Sequence, residues 1–315
     1  MAARIYFATD IHGSEKCFIK FVNAAKFYKA QVLILGGDVT GKVIVPLVRY
    51  GNEYRATFRG LPRTAKGESE VEQLEKEIRF TGYYPYRTDP DEVHQLENNE
   101  AAVRPIFLKL MLETLEKWIR LAEERLRDSG VAMYMTGGND DVPEIKPIIR
   151  KSDYVKDPEG EVVNLFGKHE MISLGFSNPT PWKTPRECSE EELWSKIQDM
   201  ASQVKDMKNA IFNFHVPPID AGIDVAPKLD ADLKPVYEGT ELVTVSAGSS
   251  SVRKAIEEYQ PLLGLHGHIH ESRGFLNIGR TLCINPGSES SEGILRGVIV
   301  DIKEDGSLTY TLTQG

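Results

Sequence analysis

The run Pro261-Leu262-Leu263-Gly264-Leu265-His266-Gly267-His268-Ile269-His270 sets an apolar stretch directly before a histidine cluster. The apolar part reads as a buried strand. Residues two apart on an extended chain face the same side, so His268 and His270 project together from its tip. Alone, such a pair is weak evidence. Other apolar runs end the same way: residues 4–8 before Asp10-Ile11-His12, 31–35 before Gly37-Asp38, 131–135 before Gly138-Asn139-Asp140-Asp141, and 210–214 ending at His215. Five strand ends carrying carboxylates, an amide and imidazoles point to one assembled metal site.

The segments between these ends set the fold class. Ser14 suits a helix N-cap, and Phe18, Phe21, Val22 and Ala25 follow at helical spacing before the next apolar run, which gives strand, helix, strand with a crossover long enough for parallel pairing. Open α/β sheets build their sites at the C-terminal tips of such strands. Residues 43–58 alternate around Tyr50-Gly51-Asn52 as a hairpin, 68–79 form a charged helix, and Thr81-Gly82-Tyr83-Tyr84-Pro85-Tyr86-Arg87 reads as an aromatic loop. Residues 43–104 are therefore expected as an insertion, a cap over the sheet. Leu108, Leu112, Leu115, Ile119, Ala122 and Leu126 mark one helical face, closed by Gly130. A strand over 170–176, a helix opened by the Ser189/Glu192 capping box and running to about 205, a helix over 250–259 and a β-rich tail follow. The expectation is a single α/β domain over 1–315.

Composition narrows the function. With 315 residues and 41% hydrophobic content, the chain can bury a substantial core. A net charge of −9 gives no electrostatic footprint for a long nucleic acid, which is disfavoured as a partner. Cys17, Cys188 and Cys283 are scattered without a CxxC spacing and read as reduced packing residues. The absence of a membrane-length apolar run makes a cytoplasmic protein, with no membrane partner, the expectation.

Taken together, Asp10/His12, Gly37-Asp38, Gly138-Asn139, His215 and Gly267-His268-Ile269-His270 resemble the ordered motifs DxH, GD, GN[H/D], H and GHxH of the calcineurin-like metallophosphoesterase superfamily. Asn285-Pro286-Gly287-Ser288 is similar to a stretch common in its small members. The resemblance implies a four-layer αββα sandwich with two mixed sheets. It implies two divalent metal ions, with manganese favoured and iron, zinc, cobalt or nickel compatible. Asp10, His12 and His270 would hold one ion and Asn139, His215 and His268 the other, with Asp38 bridging. A bridging carboxylate offsets repulsion between two dications, and an amide oxygen ligates without adding charge. Asp38, Asn139 and Asp140 would stand beside the reacting phosphate.

Two departures matter. Many members carry histidine after GN to protonate the leaving group, whereas this chain has Asp140; a carboxyl beside two dications is expected to stay ionised and donate poorly. Gly37-Asp38-Val39-Thr40-Gly41-Lys42 lacks the GDxxDR arginine of serine/threonine protein phosphatases. His94 on the insertion is a candidate substitute acid, and Tyr83, Tyr84, Tyr86 and Arg87 are candidate contacts to a base or phosphate; a surface histidine and local packing are the competing expectations. His266 is expected to pack, and Asn285 to organise its Pro-Gly turn. The implied activity is hydrolysis of a small phosphodiester, a cyclic nucleotide or related nucleotide, by in-line attack of metal-bound hydroxide. A phosphomonoesterase and a non-catalytic interaction module on the same fold are the alternatives.

Overall fold

Two six-stranded sheets stack face to face in the computed structural model, which describes residues 3–315. In spatial order the first contains Leu308–Gln314, Arg296–Ile302, Ala3–Ala8, Val32–Leu35, Ala132–Met135 and Val155–Lys156. The second contains Gly274–Ile278, Thr281–Asn285, Leu263–Leu265, Ile211–Phe214, His169–Leu174 and Val163–Leu165. Central pairings are parallel, and antiparallel strands close both edges of the second sheet and one edge of the first, whose Val155–Lys156 edge is parallel, so both sheets are mixed.

The strands are apolar on both faces because both faces are covered. In Ala3–Ala8, Ile5 and Phe7 enter the layer between the sheets, while Tyr6 and Ala8 meet helices. Val32 and Ile34 point inward and Leu33 and Leu35 outward; in the second sheet Ile211 points inward and Phe212 and Phe214 outward. This period of two splits each strand between two cores. Helices Glu15–Phe27 and Glu100–Leu126 cover the first sheet, where Phe18 stacks on Trp118 with centroids 4.5 Å apart. Glu190–Ala201 and Ser250–Tyr259 cover the second. The result is the expected αββα sandwich.

Local signals set several boundaries. Ser14 caps the first helix by accepting from the Cys17 amide at 3.4 Å, and Ser189 with Glu192 forms the capping box. Glu100–Leu126 starts eight residues before its apolar periodicity does: Asn99 caps it, and its first turns are mostly half-exposed or exposed, so they lack a hydrophobic stripe. The helix from Ser189 ends at Ala201, short of 205.

The segment expected as an insertion carries its own four-stranded sheet, in the order Leu61–Lys66, Glu53–Phe58, Ile44–Tyr50 and Tyr84–Thr88, backed by helix Gly67–Phe80. The hairpin at Tyr50-Gly51-Asn52 is present. The aromatic loop is not: Tyr84–Thr88 is a strand parallel to Ile44–Tyr50. Its Pro85 interrupted the strand pattern, yet the strand lies at the sheet edge, where a missing N–H costs little. A β-excursion over 225–246, with two short ladders, has no counterpart in the sequence expectation. Among the described residues, no helix is long and apolar enough to cross a membrane.

Candidate metal centre

Turns leaving both sheets converge at one end of the sandwich. Asp10 and His12 follow Ala3–Ala8, Asp38 follows Val32–Leu35, and Asn139 and Asp140 follow Ala132–Met135. The second sheet contributes His215 after Ile211–Phe214, and His268 and His270 after Leu263–Leu265. All seven expected ligands meet. His12 and His270 bring their Nε2 atoms to 2.9 Å, and His270 Nε2 lies 3.4 Å from Asp10 Oδ1. His215 Nε2 lies 3.7 Å from Asp10 and 3.5 Å from Asp38. Asp38 turns its other oxygen toward His12 at 3.8 Å. His268 Nδ1 lies 2.8 Å from the Asn139 amide oxygen, whose orientation Thr184 sets by accepting from Nδ2 at 2.9 Å.

This geometry is costly to build and the backbone shows where. Asp10, His12, Asp38 and His268 have φ of 55, 42, 46 and 66°, in the left-handed region that side chains other than glycine rarely adopt. Glycines permit the loops to touch: a Cβ on Gly138 would collide with the Asp38 carboxylate, and one on Gly267 with Thr9 and Asp10. Strain and close approach concentrated in one place mark a functional site rather than a packing solution.

The charges favour a cation. Burial lowers His12 and His268 to about 4, which keeps them in the neutral form that ligates metals. Burial also opposes charge on Asp10 and Asp38, but His215 overcomes it, and both carboxyls fall below their ordinary range. His215, itself desolvated, is raised to about 9 by Asp38 and Asp10. The His215 Nε2 and His12 Nδ1 atoms are buried without a hydrogen-bond partner. Facing imidazole nitrogens, orphaned ring atoms and converging carboxylates are a donor set suited to divalent ions.

No protein-family model matches the chain. Over 122 residues, 38% of the chain, it is 36% identical to an uncharacterized protein of Methanocaldococcus jannaschii, covering 49% of that protein. Over 156 residues, 50% of the chain, it is 24% identical to UDP-2,3-diacylglucosamine hydrolase of Shigella dysenteriae, covering 60% of it. The matches thus span about half the length of these curated relatives. Among solved structures, TT1561 of Thermus thermophilus superposes with a TM-score of 0.53 at 13% identity over 99% of both chains. Another reaches 0.55 at 16% identity, again over 99% of both. The chain shares its fold with these structures, and its ordered motifs and converging side chains resemble those of the calcineurin-like metallophosphoesterase superfamily.

The residues behind the centre are as specific as those in it. Asp141, fully buried, accepts from the Val39 and Thr40 amides at 2.9 Å each, from the Gly138 amide at 2.8 Å and from the Thr40 hydroxyl at 2.5 Å. It ties the Asp38 turn to the Asn139 turn. Arg186, 7% exposed, donates to the Gly137 and Gly138 carbonyls at 2.7 and 3.2 Å and pairs with Glu159. Asn285 donates to the Gly267 and Ile269 carbonyls at 3.3 and 2.9 Å and accepts from the Gly287 amide at 2.9 Å, so it holds the histidine run as well as its own turn. Of this ring, only the turn-organising part of Asn285's role was expected. The acidic pair Asp140-Asp141 offered a signal for Asp141, whereas Arg186 lies 48–49 positions from the carbonyls it binds.

The remaining candidates separate clearly. Asp140 sits at the centre's edge, 4.0 Å from His12 and paired with Lys42. Burial and the Asp38 charge raise it to about 7 in the metal-free chain, against Lys42, whereas the ionised expectation invoked the ions. His94 is 88% exposed and faces Glu97. Tyr84 is buried and accepts from the Gly41 amide at 2.8 Å; Tyr86 donates to Glu92 and Arg87 to Glu75. These pack locally. The 43–104 segment instead braces the first motif: Ser14 Oγ donates to the Phe80 carbonyl at 2.6 Å, and Gly82 lies against the His12 backbone. His266 is buried with Nδ1 2.8 Å from the Phe214 carbonyl, and His169 lies apart, against the Asn209 carbonyl. Asp38, Asn139, Asp140, His268 and His270 open onto a cleft of about 980 Å³.

Proposed function

We propose that this chain hydrolyses a small phosphodiester at a centre of two divalent ions. Asp10, His12 and His270 would hold one ion, Asn139, His215 and His268 the other, and Asp38 would reach both. The observation that carries this reading is the position of Asp38, which offers one oxygen toward His12 and the other toward His215. When bound, the ions supply Lewis acidity that polarises the phosphoryl group and acidifies water. A mixed nitrogen and oxygen set takes manganese, iron, zinc, cobalt or nickel, and manganese is the preferred choice for assay.

The protein's own groups do the rest. The four imidazoles and the carboxylates of the centre would fix where the phosphate rests, and the Asp141 and Arg186 contacts keep two of the loops from drifting. Lys42, on the cleft wall, brings an ammonium toward the phosphate and holds Asp140 in place. Asp140 occupies the position from which a leaving group would take its proton. Kinship with a protein named as a hydrolase agrees with this chemistry.

The deciding experiment is a panel of mono- and diesters of phosphate, assayed with manganese on the wild type and Asp38→Asn. Diester turnover that falls at least about hundredfold in the folded variant is expected, because a bridging charge is lost. Equal turnover by the two proteins would refute the centre; preferential monoester turnover would refute the diester reading.

A further inference from the structure

The cleft that holds the candidate centre does not end there. Beyond the histidines it continues along Pro179, Pro181 and Trp182 from one loop and Leu229, Leu233 and Pro235 from the 225–246 excursion. Trp182 is 62% exposed and Leu233 45%, a large exposure for side chains of this kind. Two of the polar groups edging this arm, Thr180 and Glu190, are committed elsewhere, and the unpartnered Asn178 Oδ1 is buried away from its surface. Thr180 donates to Glu187 at 2.5 Å, and Glu190 accepts from Ser249 at 2.7 Å and from the Ser251 amide at 2.9 Å. A nucleobase needs free donors and acceptors along its edge; a hydrocarbon needs only apolar walls.

We infer that the apolar arm is a substrate subsite, and that the phosphoester carries a hydrocarbon group of several carbons, laid against Trp182 and Leu233 while its phosphate sits at the Lys42 and histidine end. This rests on the phosphoester reading for the position of the phosphate, and it narrows the substrate away from nucleotides. Continuity of the arm with the centre in one cleft is what links the two.

The test is calorimetric binding of methyl-, butyl- and octylphosphonate and of adenosine 5′-monophosphate to the manganese-loaded protein. These phosphonates cannot be hydrolysed, so the readout is independent of turnover. In an open cleft each methylene gains about half of what full burial gives, or about twofold in affinity, so octyl should exceed methyl by roughly hundredfold. Trp182→Ala and Leu233→Ala should each reduce that octyl-to-methyl ratio at least fivefold. Phe27→Ala, a change to a still more exposed apolar residue that does not line the cleft, should leave it unaltered. Equal binding of methyl and octyl, a ratio insensitive to Trp182→Ala, or a nucleotide that binds more tightly than octylphosphonate would each overturn the inference. Length-dependent, Trp182-dependent binding by a protein that hydrolyses no ester would keep the subsite and remove the hydrolytic reading.

Discussion

Asp141→Asn is nearly isosteric, yet it should be among the most damaging single changes near the centre. In the native chain one Asp141 oxygen receives the Thr40 amide and hydroxyl, and the other receives the Val39 and Gly138 amides. Whichever way the asparagine amide turns, its NH2 faces at least one backbone N–H, so a buried donor goes unsatisfied. The Thr40 hydroxyl can rotate to accept, which makes that orientation the cheaper one. An unsatisfied buried donor costs ~1–3 kcal/mol, and replacing charge-assisted bonds with neutral ones adds about 1 kcal/mol for each survivor. The sum is roughly 3–5 kcal/mol, a large part of the ~5–15 kcal/mol that typically holds a folded protein together. Equilibrium urea unfolding followed by circular dichroism measures it, with the midpoint expected to fall at unchanged slope. Manganese affinity, read by calorimetry on the folded variant, should weaken as well, because Asp38 and Asn139 lose their common anchor. A variant within about 0.5 kcal/mol of wild type, binding manganese equally well, would refute the claim that Asp141 welds the two turns.

Asn285→Asp replaces a donor with an acceptor facing the carbonyls of Ile223, Gly267 and Ile269, and should cost about 3 kcal/mol by the same urea measurement. Glu159 is buried, which opposes its charge, but Arg186, the Gly175 amide and Lys146 outweigh burial and hold its carboxyl below the ordinary 4.5. Its contribution is therefore present above about pH 4.5 and lost as pH falls through the depressed folded value, so Glu159→Gln should lower stability at neutral pH and flatten the acid limb of the stability profile. Asp140→His should reduce the steepness with which hydrolysis depends on leaving-group acidity, checked with a series of aryl and alkyl esters under conditions where chemistry limits the rate; an unchanged slope would show that position 140 takes no part in proton transfer. His94→Ala should leave turnover within about twofold, since the residue is exposed and does not line the cleft.

The legible part of this molecule is the part whose physics is local. Strands buried on two faces must be apolar throughout, and the loops at their tips must supply whatever chemistry there is, so the runs before Asp10, Asp38, Asn139, His215 and His268 could be placed from sequence. Their division into two sheets was not visible in these runs: Val32 and Ile211 both face the space between the sheets, but nothing near either says which partner it meets, and that expectation came only from resemblance. The Tyr84–Thr88 strand was hidden by Pro85, because a residue that excludes a central strand is tolerated at an edge, and edge position is a property of the assembled sheet. The apolar arm was hidden for the same reason: Trp182 and Leu233, 51 positions apart, acquire a shared role only in the cleft.

Supporting residues follow the same logic and say something about assembly. Asp141, Arg186 and Asn285 hold backbone amides and carbonyls of the motif loops without supplying any of the seven expected ligands. Loops held in left-handed conformations at Asp10, His12, Asp38 and His268 would relax if only a cation restrained them. The hydrogen bonds that restrain them come from the protein's own side chains, so an ion bound among them would not have to spend affinity on ordering the loops. The same reasoning explains why the strain gathers around residues whose neighbours are glycines and buried ionic groups: those neighbours permit the close approach and resist its reversal.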